Sequence, residues 1–395
     1  MAFRFLDLPA ELRDAVYDEI LHPECFRQHL SDGYSRYKFD LALFHVNRQV
    51  ASEAQAIFYK NFTFVRLETP GEEDQVRQIV EIEGHVPIIA RGDKASAFQG
   101  YTLNAVISVP DIFMYHNEDT EIQRLLLLVD DLHLFCQRWF YSDLDANEGL
   151  NPHLKLTLTL RVPFQDKADR ELPLSLQKRL MLPFGLIKGV PAVTVQGSCD
   201  DKILEAMLNE MKVPYSPAEN LLEEATKLKD AGNELLKKKL PDQAIVKYID
   251  AYRAMHIVCI DHYRGIFAER FFNRYLIGGI YDGKHGQVVR LVLRTRLVAN
   301  IMKAYLDMRR YDEAEFWGNR TVTLIRDSMG GVDDEAIPNF PAAEQLGKIY
   351  YRAGIASKML GKIYEARKLF RVAYEYLPQD EFVRRELAAA SPMLG

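Results

Sequence analysis

Between residues 221 and 378 the apolar and polar positions follow a helical period, and the same two-helix pattern occurs three times. In the first copy, small or apolar residues recur on one face of each helix, and a proline stands between the helices. Small residues on facing helices let the two backbones approach closely, and a tyrosine fills the space beside them. These residues are Leu228, Gly232 and Leu235 in the first helix, Pro241 at the turn, and Ala244, Tyr248 and Ala251 in the second.

The other two copies are centred on Ala314 and Ala366. The third copy keeps the small and aromatic positions in register, whereas the second departs from them at Gly318 and Thr321. After Pro378, the segment DEFVRRELAAA predicts a last helix that covers the open end of the stack.

This pattern resembles the tetratricopeptide repeat (TPR), a helical hairpin of about 34 residues. The resemblance implies an all-α superhelix over residues 216–395, with a concave face. Two prolines predict a linker at 213–220. An extra segment, 259–294, separates the first two copies, and we predict an extended second helix followed by a loop there.

The first 215 residues carry mixed patterns that predict an α+β fold. Leu12, Val16, Ile20 and Leu21 stand at helical spacing, and a second helical segment from residue 41 passes into the β-prone stretch NFTFV. Apolar runs predict strands over 101–109, 124–135, 154–162 and 191–197, and helical spacing predicts helices over 173–184 and 200–211. We therefore predict a helical module over residues 1–65, followed by a mixed, mostly antiparallel sheet domain over residues 66–215.

Two stretches of the helical module carry a motif. The chain reads LPAELRDAVY from Leu8 and VNRQVASEAQAIFYKNF from Val46. Both resemble the F-box-like module of filamentous-fungal proteins. That resemblance implies contact with the ubiquitin-ligase subunit Skp1, and the residues concerned are Leu8, Pro9, Leu12 and Val16. The alternative is that these helices only cover the domain that follows.

Five polar residues of the repeat half occupy first-helix positions, and four of them form two pairs spaced four residues apart. They resemble the carboxylate clamp of repeat proteins that bind the acidic C-terminal tail of Hsp90 or Hsp70. The resemblance implies that Lys229, Asn233 and Asn300 hold the terminal carboxylate, and that Lys348 and Arg352 hold an Asp side chain or a nearby carbonyl. The alternative is that they are ordinary residues on solvated helices. The five residues are Lys229, Asn233, Asn300, Lys348 and Arg352.

Composition limits the classes of partner and the cellular compartments that fit this sequence. A formal net charge of −6 argues against nucleic acid and anionic membranes as partners. Four widely separated cysteines without a CxxC motif favour a reducing compartment, and no apolar run is long enough to span a bilayer. The N-terminal MAFRFLDLPAELRD meets charge and proline too early for a secretory signal. The sequence therefore predicts a protein of the cytoplasm or the nucleus.

Catalytic motifs are missing from the sequence. It contains no Walker A loop, Rossmann glycine pattern, HExxH or GxSxG. Two acidic and histidine clusters, His116 with Glu118 and Asp119, and Asp130 with Asp131 and His133, lack the spacing of known metal sites. The basic groups 237–239 and 290–296 lack interleaved aromatics, so we expect them to add positive potential near the repeat groove. We predict no enzymatic activity, no cofactor and no metal.

The leading hypothesis is a non-enzymatic, co-chaperone-like adaptor whose repeats bind a chaperone tail. Two alternatives remain open at this stage. One is a Skp1-linked substrate receptor, and the other is a scaffold that binds an internal peptide.

Overall fold

The computed structural model describes residues 4–30, 34–109, 121–164, 171–260, 262–329, 336 and 339–390. The chain divides into two compact units, residues 1–215 and 216–395. The division falls inside the segment 213–220 that the prolines mark as a linker.

The first unit begins with short helices and a small hairpin. The side chain of Asn47 caps the longest of these helices, because its Oδ1 accepts a hydrogen bond of 2.9 Å from the Val50 amide. The elements are α1 (Ala10–Ile20), α2 (Pro23–Phe26), β1 (Arg27–His29), β2 (Ser35–Tyr37) and α3 (Arg48–Asn61).

A mixed six-stranded sheet follows. Its strands are β3 (Phe64–Pro70), β4 (Ala90–Arg91), β5 (Tyr101–Ser108), β6 (Ile122–Leu128), β7 (Lys155–Leu160) and β8 (Ala192–Gln196). The strand order is β4-β6-β3-β5-β7-β8. The β3/β5 and β7/β8 pairs are parallel, and the β4/β6, β3/β6 and β5/β7 pairs are antiparallel. The prediction of a mixed sheet is confirmed, and a strand pattern alone could not show which pairs are parallel.

Both faces of the sheet are covered, which explains the run of leucines in β6. Leu125 and Leu127 belong to one core cluster, whereas Leu126 and Leu128 belong to a second cluster that also contains Tyr17 and Phe58 of the starting helices. Successive side chains of a strand point to opposite faces, so a strand buried on both faces is apolar throughout. The remaining helices are α4 (Glu73–Arg77), α5 (Gly92–Ala97), α6 (Leu132–Asp143), α7 (Leu174–Met181) and α8 (Asp201–Lys212).

The second unit is largely helical, and its helices pack as three antiparallel pairs with a last helix at one end. The pairs are α9 (Ala218–Lys237) with α10 (Pro241–Ala254), α12 (Gly286–Asp307) with α13 (Tyr311–Met329), and α14 (Ala343–Met359) with α15 (Ile363–Tyr376), followed by α16 (Glu381–Ala390). Within a pair, small residues let the helices approach. A Cβ atom built on Gly232 would lie 2.4 Å from the Tyr248 ring, and one built on Gly354 would lie 2.6 Å from the Phe370 ring.

The prediction for the extra segment 259–294 is wrong. The second helix of the first pair ends at Ala254, and an antiparallel hairpin of β9 (Ile257–Ile260) and β10 (Tyr263–Ile266) follows it. A short helix, α11 (Glu269–Phe272), then leads to a loop. The backbone turns at His256, whose φ of 55° lies in the left-handed region and cannot continue a helix.

Candidate functional site

The first helices of the three pairs bring the predicted clamp residues of different repeats together. Asn300 on α12 donates from Nδ2 to Oδ1 of Asn233 on α9 at 2.7 Å. The Tyr248 hydroxyl on α10 donates to the same oxygen at 2.9 Å. The Asn233 side chain is therefore fixed by two donors, and its own Nδ2 lies 3.4 Å from Asp230 Oδ1.

Arg352 on α14 extends this polar cluster to the third repeat. Its guanidinium donates to the carbonyl oxygen of Ala299, the residue before Asn300. Burial lowers the pKa of Arg352 from its ordinary value, and burial raises the pKa of Tyr248 to about 12 although the charge of Arg352 acts against that rise. A partly buried cation beside two amides and a hydroxyl is suited to hold a carboxylate.

The two lysines of the predicted clamp are paired with acidic residues of their own helices. Lys229 Nζ lies 2.9 Å from Asp230 Oδ1, and Lys348 Nζ lies 2.5 Å from Glu344 Oε1. The Lys348–Glu344 pair is exposed on both sides, and such pairs contribute only about 0–1 kcal/mol, so Lys348 can exchange Glu344 for the carboxylate of a ligand. The side chain of Lys229 is only 12% exposed, whereas its partner Asp230 is 59% exposed.

Tyr248 is the residue of this cluster that the sequence pattern gave only a packing role. Its ring fills the space beside Gly232, as predicted, but its hydroxyl also orients Asn233. The ring crosses the interface between the two helices to reach Gly232, and its hydroxyl therefore lies beside the first helix. The sequence signal for the bond to Asn233 is that Asn233 directly follows the glycine on which the ring packs.

The four residues of the predicted Skp1 contact lie at the start of the chain. Leu8 is half-buried and Pro9 is exposed, while the exposed fractions of Leu12, Val16 and Ile20 are 54%, 39% and 48%. The helical spacing of these residues therefore does not mark a core face. The buried residues on this side are Arg13 and Tyr17 of α1 and Leu21, which directly follows the helix.

The motif residues around this helix hold α1 against α3. Arg13 donates to both carboxylate oxygens of Glu53, at 2.9 and 2.6 Å, and the Tyr17 hydroxyl donates to the same carboxylate at 3.2 Å. The hydrogen bond from Arg13 is the largest cause that lowers the pKa of Glu53 to about 2. These motif positions have a structural role inside the unit, whatever the exposed face contacts.

Asp130 and Asp131 are engaged with different partners rather than gathered into one metal site. Asp131 bonds to Arg27 and Tyr37, while Asp130 pairs with Arg179. His116, Glu118 and Asp119 lie outside the described residues. Within the described part of the chain, no group of three His, Cys, Asp or Glu residues could hold a metal ion.

The basic group 290–296 does not act as one surface. Arg290 is only 1% exposed and donates to the carbonyl oxygens of Met255 and Phe267, so it ties the helix to the inserted hairpin. Arg296 is exposed. Among the described helices, none is both long enough and apolar enough to cross a bilayer.

Comparisons with known proteins add little to this geometry. No protein-family model matches the sequence, and no curated protein matches it. One solved structure that is similar is the C-terminal TPR-containing domain of a Plasmodium falciparum FK506-binding protein, with 18% identity over 45% of this chain and 91% of that chain and a TM-score of 0.30. That score is too low to assign a fold, so the helix packing described above carries the conclusion that the second unit fits a TPR-type protein.

Proposed function

We propose that this protein is a non-enzymatic adaptor whose second unit binds the acidic C-terminal peptide of a chaperone of the Hsp90 or Hsp70 type. The observation that carries the proposal is the contact between Asn233 and Asn300, with Arg352 bonded to the neighbouring carbonyl. Side chains of the first and second repeats are thus in contact, and Arg352 of the third bonds to the backbone beside them.

The chemistry of the cluster suits a peptide that ends in aspartate. Such an end carries two carboxylates, one on the main chain and one on the side chain. Lys229 and the amides of Asn233 and Asn300 would hold the terminal carboxylate, whereas Lys348 and Arg352 would hold the side chain or a nearby carbonyl. A few charge-assisted hydrogen bonds, less the cost of ordering the peptide, correspond to a dissociation constant of about 1 μM.

The proposal is tested by titrating the full chain with a fluorescent peptide that ends in MEEVD. We expect Arg352→Ala and Lys229→Ala each to weaken binding about tenfold or more, because each leaves a ligand carboxylate without a cation. Lys237→Ala removes the same charge from the exposed end of α9 and is expected to leave the affinity unchanged. Fluorescence anisotropy gives the peptide affinity of the wild type and the three variants.

The same peptide with an amidated C-terminus is the matched ligand control. We expect it to bind at least about tenfold more weakly, because it lacks the terminal charge. Equal binding of the acid and the amide would contradict the clamp and favour a scaffold that binds an internal peptide. Wild-type affinity in Arg352→Ala would remove that residue from the site.

A second candidate function is supported by the exposed apolar face of α1, which would bind Skp1. Leu12, Val16 and Ile20 lie one turn apart, and each is more than a third exposed. We expect purified Skp1 to bind the full chain, and the double variant Leu12→Ser, Val16→Ser to lose that binding. The control Ala15→Ser, Glu19→Ser changes exposed residues of the same helix, and loss of binding in both variants would count against the apolar face.

A further inference from the structure

A small cavity in the second unit is lined by three arginines from three different elements. It has a volume of about 40 Å³ and lies between the inserted hairpin and helices α12 and α13. Arg264 comes from β10, Arg294 from α12 and Arg320 from α13. None of the five predicted clamp residues lines this cavity, so it is separate from the site proposed above.

Among the described residues, no aspartate or glutamate lines the cavity, and none forms an ion pair with Arg264, Arg294 or Arg320. The charge of Glu269 acts on Arg294, but it does not pair with any of the three guanidinium groups. Within the same part of the chain, Nε and Nη2 of Arg264 and Nε of Arg320 are buried without a hydrogen-bond partner. Buried polar atoms normally have partners, and a buried cation without one is costly.

Arg264 and Arg320 make other contacts, but some of their N–H donors still lack an acceptor among the described residues. Arg264 stacks on the ring of Trp317, with its guanidinium carbon 3.2 Å from the ring centroid. Arg320 donates from Nη1 to the carbonyl oxygen of His262 at 3.3 Å. A ring face and a carbonyl orient a guanidinium, but neither neutralises it.

The hydroxyl groups that line the cavity do not pair with the guanidinium groups. The hydroxyls of Thr295 and Thr321 donate to carbonyls of their own helices, and the Tyr252 hydroxyl donates to the carbonyl oxygen of Arg294. Burial, opposed by Tyr252 and Cys259 and reinforced by the charges of Arg320 and Arg294, lowers the pKa of Arg264. An arginine nevertheless stays protonated in a protein, so an anion bound in the cavity would compensate these charges.

We propose that this cavity binds a phosphate-type oxyanion, either inorganic phosphate or the phosphate group of a small organic phosphate. The planar guanidinium donates two parallel N–H groups, which match two oxygens of a phosphate. A water needs at least about 10–15 Å³ of such volume, and the 40 Å³ here holds a few waters or one tetrahedral ion, but no base or sugar. Occupancy would join the hairpin to α12 and α13 and stabilise the second unit by linkage.

Isothermal titration calorimetry on the full chain tests this site. Inorganic phosphate is added in a chloride buffer of constant ionic strength that contains no other oxyanion, and glycerol 3-phosphate is added in a separate titration. We expect saturable binding of inorganic phosphate. Saturable binding of glycerol 3-phosphate as well would mean that the site takes the phosphate group of an organic molecule, and no binding of it would mean that the site takes the free ion.

Two variants and one control make the result specific. Arg264→Gln and Arg294→Gln are each expected to weaken phosphate binding about tenfold or more, because each removes one charge-assisted contact. Arg296→Gln changes an exposed arginine two residues further along α12 and is expected to bind as the wild type does. If Arg264→Gln does not fold, the phosphate affinity of Arg294→Gln tests the site. The Arg294 guanidinium forms no hydrogen bond with the described residues, so its replacement breaks none of them.

A further readout separates an anion site from a purely structural cluster. In the anion-free buffer, Arg294→Gln is expected to unfold at the same temperature as the wild type or higher, because it relieves repulsion among three neighbouring, partly buried cations. In saturating phosphate, the wild type is expected to unfold at the higher temperature. No saturable binding by the wild type, or wild-type affinity in both cavity variants, would overturn the proposal.

Discussion

Replacement of Gly232 by alanine is expected to destabilise the second unit by about 2–3 kcal/mol, although alanine is the better helix former. The new Cβ would lie 2.4 Å from Cε1 and 2.8 Å from Cδ1 of the Tyr248 ring, both far inside van der Waals contact. Tyr248 is fully buried, so its ring cannot swing aside into solvent. The helices α9 and α10 must separate instead.

The same substitution is expected to weaken peptide binding, because Tyr248 donates the hydrogen bond that orients Asn233. Each unit contains one of the two tryptophans, Trp139 in the first and Trp317 in the second. Denaturant unfolding followed by fluorescence in a Trp139→Phe background therefore reports on the second unit alone. Peptide anisotropy on the same protein gives the change in affinity.

Two further variants show whether the overlap is the cause. Lys227→Ala adds alanine at an exposed position of the same helix and is expected to change the free energy of unfolding by less than about 0.5 kcal/mol. Tyr248→Leu, combined with Gly232→Ala, removes the overlapping ring atoms and is expected to recover part of the lost stability. Full stability of Gly232→Ala alone would mean that the two helices do not depend on this close approach.

The repeat half could be predicted because its signals are local. Gly232 with Tyr248 and Gly354 with Phe370 stand at fixed spacings along the chain, and each pair is in contact in the structure. Repetition then places Asn233 and Asn300 side by side, although they are far apart in sequence. A repeat converts a local spacing into a long-range position, which single sequence patterns rarely do.

The features that could not be predicted depend on tertiary contacts. The hairpin after Ala254 has no Asn-Gly or Asp-Gly turn to mark it, and Arg264 reaches the cavity only because that hairpin forms. On α1, Arg13 and Tyr17 are buried while Leu12 is exposed. Helical periodicity identifies such a helix, but it cannot show that a partly buried ion pair between Arg13 and Glu53 selects the inward face.

Replacement of Asp131 by alanine is expected to destabilise the first unit by about 3 kcal/mol, because the partly buried guanidinium of Arg27 loses its nearest carboxylate. Asp131 is fully buried. Its carboxylate accepts hydrogen bonds from Arg27 Nη2 at 2.9 Å and from the Tyr37 hydroxyl at 2.7 Å. Arg27 and Tyr37 lie on β1 and β2, whereas Asp131 precedes α6, so one side chain joins the starting hairpin to the sheet.

Asp131→Asn separates the hydrogen bond from the charge. Burial raises the pKa of Asp131, although the hydrogen bond from Tyr37 and the charge of Arg27 act in the opposite direction. A carboxyl group whose folded-state pKa lies above its unfolded value favours the folded state most when protonated, and this contribution is lost as the pH rises through the folded-state pKa. We therefore expect the stability of the wild type, relative to Asp131→Asn, to increase as the pH falls through the folded-state pKa towards the unfolded value.

Asp130→Ala is the matched control, because Asp130 is the preceding residue and its pair with Arg179 is close to half exposed on both sides. It is expected to change the free energy of unfolding by no more than about 1 kcal/mol. Unfolding is followed by the fluorescence of Trp139 in a Trp317→Phe background. Trp139 lies on α6, the helix that begins directly after Asp131. If Asp130→Ala and Asp131→Ala lower the free energy of unfolding by the same amount, the buried carboxylate of Asp131 does not hold the hairpin to the sheet. A larger loss for Asp131→Ala that Asp131→Asn partly restores would assign that role to its hydrogen bonds.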